Sequence, residues 1–111
     1  MIEPRLASSV QVAAFIRRAN AVGDFAAVLR KGDPVSGAIL LICLIRGREP
    51  QIYERFPSVE GTSSWERLPG QALDSDQDVR EAWQKRAQRD PDLWVVELDV
   101  ASTERLIGLL S

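Results

Sequence analysis

Two short segments hold the side chains best suited to recognising a ligand. Tyr53-Glu54-Arg55-Phe56-Pro57 and Trp65-Glu66-Arg67-Leu68-Pro69 share one pattern of aromatic, Glu, Arg, apolar and Pro. An aromatic ring beside an arginine can hold a planar or anionic group by stacking plus charge. Tyr53, Arg55, Trp65 and Arg67 are therefore candidate binding residues, joined by the Arg17-Arg18 pair nearer the N-terminus. The competing reading is structural: the four charges neutralise one another and Trp65 plugs the core. Two five-residue copies are too short for a repeat architecture, but they suit a hairpin. Its charges suggest a register with Phe56 opposite Trp65, Arg55 opposite Glu66, Glu54 opposite Arg67 and Tyr53 opposite Leu68. Every charge then meets its opposite, and each such cross-strand pair is worth roughly 0.2–1 kcal/mol. A slip by one residue would set Glu54 against Glu66. In the expected register Tyr53 and Arg55 share one face, and Trp65 and Arg67 the other.

Other chemistry is thinly represented. Glu97 and Asp99 are two apart in an alternating segment, so both carboxylates point to one side. Such a pair can hold a magnesium-type cation or divide acid and base work, yet half-solvated strands often carry such residues. Asp74, Asp76 and Asp78 resemble part of a calcium loop but lack its glycine and its closing glutamate, so they read as acids at a helix start. The chain has no histidine, which removes imidazole-based acid–base, nucleophilic and metal chemistry. Cys43 stands alone inside an apolar run, which predicts an inert, packed thiol and no internal disulfide. Ser63 and Ser64 lie in a loop with no base in view. No phosphate-cradling glycine loop and no nucleophile elbow is present. No catalytic residue, cofactor or metal is expected.

The elements that must position these residues follow from periodicity. The chain has 111 residues, is 45% hydrophobic and 27% charged, and suits one domain over 1–111. Ser8 to Val22 predicts a helix, with Ser8 and Gln11 as a capping box and Gly23 in the left-handed position after it. The residues before Ser8 read as a short tail. Phe25–Arg30 predicts a strand, followed by a turn over Lys31-Gly32-Asp33-Pro34. Ala38–Ile45 is apolar on both faces and reads as the central strand. Gln51–Phe56 and Trp65–Leu68 are the next strands, stopped by Pro57 and Pro69. Asp74–Arg89 predicts a second helix with acids at its start and bases at its end. Leu93–Val100 is the last strand, its direction left open, with Trp94, Val96, Leu98 and Val100 on one face. Ser102 caps a final short helix. The fold class is α+β: one mostly antiparallel sheet of about five strands, in the order α-β-β-β-β-α-β-α, with helices packed on it.

Charge and targeting narrow the partners. A net charge of −2 disfavours a nucleic-acid backbone as partner, although twelve of the fourteen basic residues are arginine. The eight-residue apolar run is far below the ~20 residues of a membrane span, and Glu3 with Arg17 and Arg18 spoils a signal peptide. These features predict a cytoplasmic protein with no membrane contact.

Over nearly its full length the chain resembles the alphaproteobacterial domain of unknown function 1491 family. The resemblance is carried by Arg17-Arg18-Ala19-Asn20 with Gly23-Asp24-Phe25-Ala26, Ser36-Gly37-Ala38-Ile39, Ile52-Tyr53-Glu54-Arg55, Trp65 and Asp90-Pro91-Asp92-Leu93-Trp94-Val95-Val96-Glu97. It implies one compact domain of bacterial cytoplasmic origin and supplies no activity, cofactor or catalytic residue. The expected function is a non-catalytic binding or protein-interaction module, forming a homodimer or meeting a protein partner through a strand edge or an aromatic patch. An RNA- or nucleotide-binding accessory using Arg and aromatic residues, and a carboxylate-dependent enzyme on Glu97 and Asp99, are the alternatives.

Overall fold

A computed structural model describes residues 7–55, 65–68 and 73–110. Along the chain these form α1 (Ser8–Ala21), β1 (Phe25–Arg30), β2 (Ile39–Ile45), β3 (Arg48–Arg55), β4 (Glu66–Arg67), α2 (Asp76–Arg89), β5 (Trp94–Val100) and α3 (Thr103–Leu110). The element order is the one the sequence predicts. Phe56, Pro57, Ser63, Ser64, Pro69 and the tail before Ser8 fall outside the described residues, apart from Ala7. The five strands lie in the order β1-β5-β2-β3-β4. The last strand enters between the first two: β5 runs antiparallel to β1 and parallel to β2. A parallel neighbour needs a long crossover, and the chain from β2 through α2 provides it.

The apolar octet sits at the middle of the sheet because both of its faces are greasy. Ile39, Leu41 and Cys43 join Trp94, Val96, Leu98 and Val100 in one core, covered by Val12, Phe15 and Ala19 of α1 and by Leu106 and Leu109 of α3. Leu40 and Ile42 point the other way, with Ile52, Leu93 and Val95, and meet Val79, Ala82, Trp83 and Ala87 of α2. The result is three layers, with α1 and α3 on one face and α2 on the other.

Element ends show where side chains yield to the rest of the chain. Ser8 is not a cap; the N-cap is Ala7, and no side chain caps α1. The backbone N–H groups of Ser8 and Ser9 donate to Val35 and Pro34 carbonyls at 3.1 and 2.9 Å. Ser8 Oγ donates to the Gly37 carbonyl at 2.6 Å, so the hydroxyl pins the loop before β2. Asp33 holds that loop, its carboxylate accepting from the N–H groups of Ser36 (2.8 Å) and Val35 (3.1 Å). Those bonds, Ser36 first, hold the Asp33 carboxyl below its ordinary value. Ser75, the residue just before α2, accepts from Asp78 N–H at 3.1 Å, and the Asp78 carboxylate accepts from Asp74 N–H. Ser102 caps α3 as expected, accepting from Arg105 N–H at 3.2 Å. Between β2 and β3, Arg46 and Gly47 both take positive φ, at 52° and 74°, the geometry of a tight two-residue hairpin turn. The tight turn lets Arg48 pair with Ile45, so β3 begins before Gln51.

The β3–β4 register is the one the charge argument disfavours. Tyr53 pairs with Arg67, and Glu54 with Glu66. Two contacts outside the ladder explain it. The Glu54 carboxylate is buried and ion-paired with Arg86 of α2, so it needs no cross-strand arginine. Trp65 must face α1, where it meets Phe15, and Leu68 must face α2. Full burial of an apolar side chain brings roughly 1.5–3 kcal/mol, against 0.2–1 for an exposed cross-strand pair. Packing sets the register, and the exposed Glu66 tolerates its like-charged neighbour.

Candidate functional site

The shifted register gathers the sequence's candidate residues differently from expectation. Tyr53, Arg55, Trp65 and Arg67 all lie on the α1 face of β3 and β4, not two on each side. The Arg55 guanidinium stacks over the Trp65 ring at 5.4 Å from its centroid. Trp65 in turn lies against Phe15, with ring centroids 5.8 Å apart and a 58° tilt. Burial, with Arg18 nearby as a second cause, holds the Arg55 guanidinium below its ordinary range. Arg18 itself reaches the Gly108 carbonyl of α3 at 3.3 Å. Arg17 is not part of this group; two residues past the buried Phe15, it lies about 200° round the helix and faces solvent. The space beneath Arg55 and Trp65 is only about 10 Å³, the room of a single water. The stack closes the core edge and leaves no room for a planar ligand beneath it.

The larger opening is on the other side of the sheet. α2 packs over β2 and β3 and stops short of β1, whose residues are absent from that core. A groove of about 290 Å³ follows along the gap. Ile42 and Leu44 of β2 and Glu97 of β5 form its floor; Val79, Arg80 and Trp83 of α2 form its wall; Leu29 of β1 forms its rim. The carboxylate pair flagged in the sequence divides here. Glu97 lines the groove, while the Asp99 carboxylate accepts from Gly47 N–H at 3.0 Å and braces the β2–β3 turn. Among the described residues no three potential metal ligands come together.

β1 itself is the second feature of this end. It closes one edge of the sheet, and no described strand pairs with its outer rim. Phe25 is 56% exposed, Val28 42% and Leu29 41%, all large apolar side chains. Natural edge strands are usually guarded by charge or proline, but between Phe25 and Leu29 β1 carries neither. Its one irregularity is a bulge between Val28 and Arg30. The strand's start is firmly held: Asp24 is buried, and Arg105 of α3 bonds both the Val22 carbonyl (2.7 Å) and the Asp24 carboxylate (3.3 Å). At its end Arg30 donates to the carbonyls of Leu93 (2.6 Å) and Pro91 (3.0 Å). Sequence reading misses Phe25, Leu29, Arg80 and Trp83 as surface residues. The apolar run Phe25–Leu29 gives no signal of which strand is an edge, and that depends on β5 entering between β1 and β2.

Comparison with known proteins agrees with this geometry. A protein from Caulobacter crescentus solved by crystallography is 35% identical over 85% of this chain and 87% of its own, with a TM-score of 0.69. A solution structure from the same organism is 32% identical over 90% of each chain, with a TM-score of 0.74. A further solution structure, from A. tumefaciens, is 29% identical over 96% of this chain and 93% of its own, with a TM-score of 0.76. Both Caulobacter structures are described as DUF1491 family proteins. No curated protein is similar enough to count as a relative. The family model for a protein of unknown function, DUF1491, matches residues 6–108, and the chain belongs to that family.

Proposed function

We propose that the chain is a non-catalytic protein-binding module whose contact surface is the end of the sheet that α2 leaves uncovered. The observation that carries this reading is the solvent exposure of Phe25, Val28 and Leu29 on an edge strand that is firmly fixed at both ends. Exposed apolar residues scattered singly mean little, but Phe25 and Leu29 share the groove side of one six-residue strand, with Val28 exposed on its other side. The adjoining groove supplies an aromatic wall in Trp83 and charge of both signs in Glu97 and Arg80, the mixture of apolar anchor and polar rim found at protein interfaces. The rigid frame means that little ordering cost attends binding. The Arg55–Trp65 stack, by contrast, is filled by the protein's own side chains.

The test compares the wild-type chain with the double variant Phe25→Glu/Leu29→Glu. Both positions are exposed, so the variant should keep the wild-type circular dichroism and melting curve. The expected result is that the wild type binds a protein, its own copy or another, that the variant does not. A wild type that stays monomeric and retains nothing beyond what the variant retains overturns the reading.

A further inference from the structure

We infer that the α1 side of the β3–β4 edge holds a phosphate monoester as its dianion, between Arg18, Arg55 and Arg67. This site lies across the sheet from the groove and stands independently of the binding reading above. The register that sets Glu54 against Glu66 also sorts charge by face. Tyr53, opposite Arg67, packs with Trp65 on the α1 core, so Arg55 and Arg67 point to that side. Glu54 and Glu66 point to the other, where Glu54 meets Arg86 of α2. Had Arg55 faced Glu66 and Glu54 faced Arg67, each arginine would have met its own carboxylate. Instead the two arginines share one face with neither glutamate beside them. α1 adds Arg18 and carries no acid anywhere in its length.

The three guanidinium groups are within reach of one another. Arg18 lies about one turn beyond Phe15, whose ring meets Trp65, and Arg55 stacks on that Trp65. Arg67 is the diagonal neighbour of Arg55 across the ladder, about 7–8 Å away at the backbone, a gap that long side chains span. Two of the three are already positioned, Arg55 by the Trp65 ring and Arg18 by the Gly108 carbonyl at 3.3 Å. That bond uses one N–H of Arg18, and a guanidinium has further donors on its other edges. Burial and then Arg18 lower the hold of Arg55 on its proton, the second being the mark of like charges set close together. Among the described residues neither Arg18 nor Arg67 is in an ion pair. One arginine matches a carboxylate in a two-pronged pair, whereas several arginines around one point call for a group with more charge and more oxygens. A phosphate monoester carries nearly two negative charges on three acceptor oxygens. The space beneath the stack is only about 10 Å³, so the ligand is held from outside by charge, which suits a tetrahedral phosphate and not a ring.

The experiment is an NMR titration of the full chain with methyl phosphate at constant ionic strength. The Trp65 indole N–H and Arg55 Nε–H resonances are expected to shift and to saturate in the low millimolar range. Arg18→Gln and Arg67→Gln are each expected to weaken binding about tenfold, the loss of one charge-assisted contact. Arg17→Gln removes the same charge from the solvent-facing side of α1 and is expected to change binding by less than about twofold, because salt screens distant charges. Acetate and dimethyl phosphate, each a single charge, are expected to bind at least about tenfold more weakly than methyl phosphate. All variants should keep the wild-type circular dichroism. Arg67 makes no hydrogen bond or ion pair among the described residues, so its variant reports on the ligand and not on a lost internal contact. No saturable shift, or an Arg67→Gln chain that binds like the wild type, overturns the inference. So does equal weakening by Arg17→Gln, which would mean a diffuse field, or acetate or dimethyl phosphate binding as tightly as methyl phosphate. Single-stranded oligouridine that displaces methyl phosphate at a lower concentration of phosphate groups overturns it in favour of a nucleic-acid strand.

Discussion

Glu54 stands opposite Glu66 across the β3–β4 ladder, and its charge is met from a different layer, by Arg86 of α2. The Glu54 side chain is 6% exposed and that of Arg86 27%, so the pair joins sheet and helix at the border of the second core. Removing one member of such a pair costs far more than the pair contributes, because the other charge stays buried. Arg86→Ala is expected to destabilise the fold by about 3 kcal/mol, the lower end of the range for a broken buried pair. The double variant Glu54→Leu/Arg86→Met should recover most of that loss. Urea unfolding of the two variants checks both statements. An Arg86→Ala chain as stable as the wild type would show that Glu54 has no need of its partner.

The same pair marks what could and could not be read from the sequence. Alternation placed Trp94, Val96, Leu98 and Val100 on one face, and two-sided apolarity placed the Ala38–Ile45 run at the centre, where the strand Ile39–Ile45 lies. Both are consequences of local pattern. Register is not local. The Glu and Arg residues of the two copies balance on paper, but Arg86 and Phe15 approach from elements distant in sequence and decide which face each residue takes. Ser8 fails as a cap for the same reason, since carbonyls of the Pro34–Gly37 loop reach the helix start first. The exposed rim of β1 was illegible because nothing in Phe25–Arg30 says that α2 ends short of it.

Gly32 and Gly37 differ in kind from Gly108, and substitution by alanine should reveal it with opposite signs. A Cβ at Gly32 or at Gly37 would overlap the Asp92 carbonyl oxygen and crowd Trp94. That wall cannot move, because the Asp92 carbonyl accepts from Asp33 N–H and the Trp94 indole N–H donates to the Asp33 carbonyl at 2.7 Å. Gly32→Ala and Gly37→Ala are each expected to cost about 1–3 kcal/mol or more, the usual penalty of overpacking. Gly108 lies within α3 with open space where a Cβ would be. Gly108→Ala should stabilise by up to about 1 kcal/mol through helix propensity. Thermal melts of the three variants decide the ordering; a stabilised Gly37→Ala would refute the close approach.

Trp65 and Arg55 are expected to matter to stability, in unequal measure. Trp65 loses contact with Phe15 and uncovers the first core when truncated, so Trp65→Ala should cost about 3 kcal/mol. Arg55→Met keeps the aliphatic stem and removes the cation, so it should cost only the stacking interaction, roughly 0.5–1 kcal/mol. Denaturant midpoints give both numbers. Nuclear Overhauser contacts between the backbone of Glu54 and Glu66 check the register on which this argument stands. An Arg55→Met loss as large as that of Trp65→Ala would mean that the guanidinium has a second task.

Cys43 gives the pH dependence its sign. Burial pushes the thiol up from 9.0 to about 12 in the folded chain. An unfolded chain ionises that thiol near its ordinary value, while the folded chain keeps it protonated. Ionisation therefore favours the unfolded state once the pH passes about 9. The stability that Cys43 contributes is intact below that point and declines as the pH rises towards about 12. Cys43→Ala removes the titrating group, at the expense of a small cavity, so its stability should vary less than the wild type's between these limits. Unfolding midpoints at pH 8 and pH 10.5 compare the two directly. Below pH 9 the folded thiol should also resist alkylation, with iodoacetamide reacting only in denaturant, because the thiolate is the nucleophile and the side chain lies inside the central strand. A wild type and a Cys43→Ala variant with parallel stability profiles up to pH 10.5 would place the thiol in a wetter setting than the core between α1 and β2.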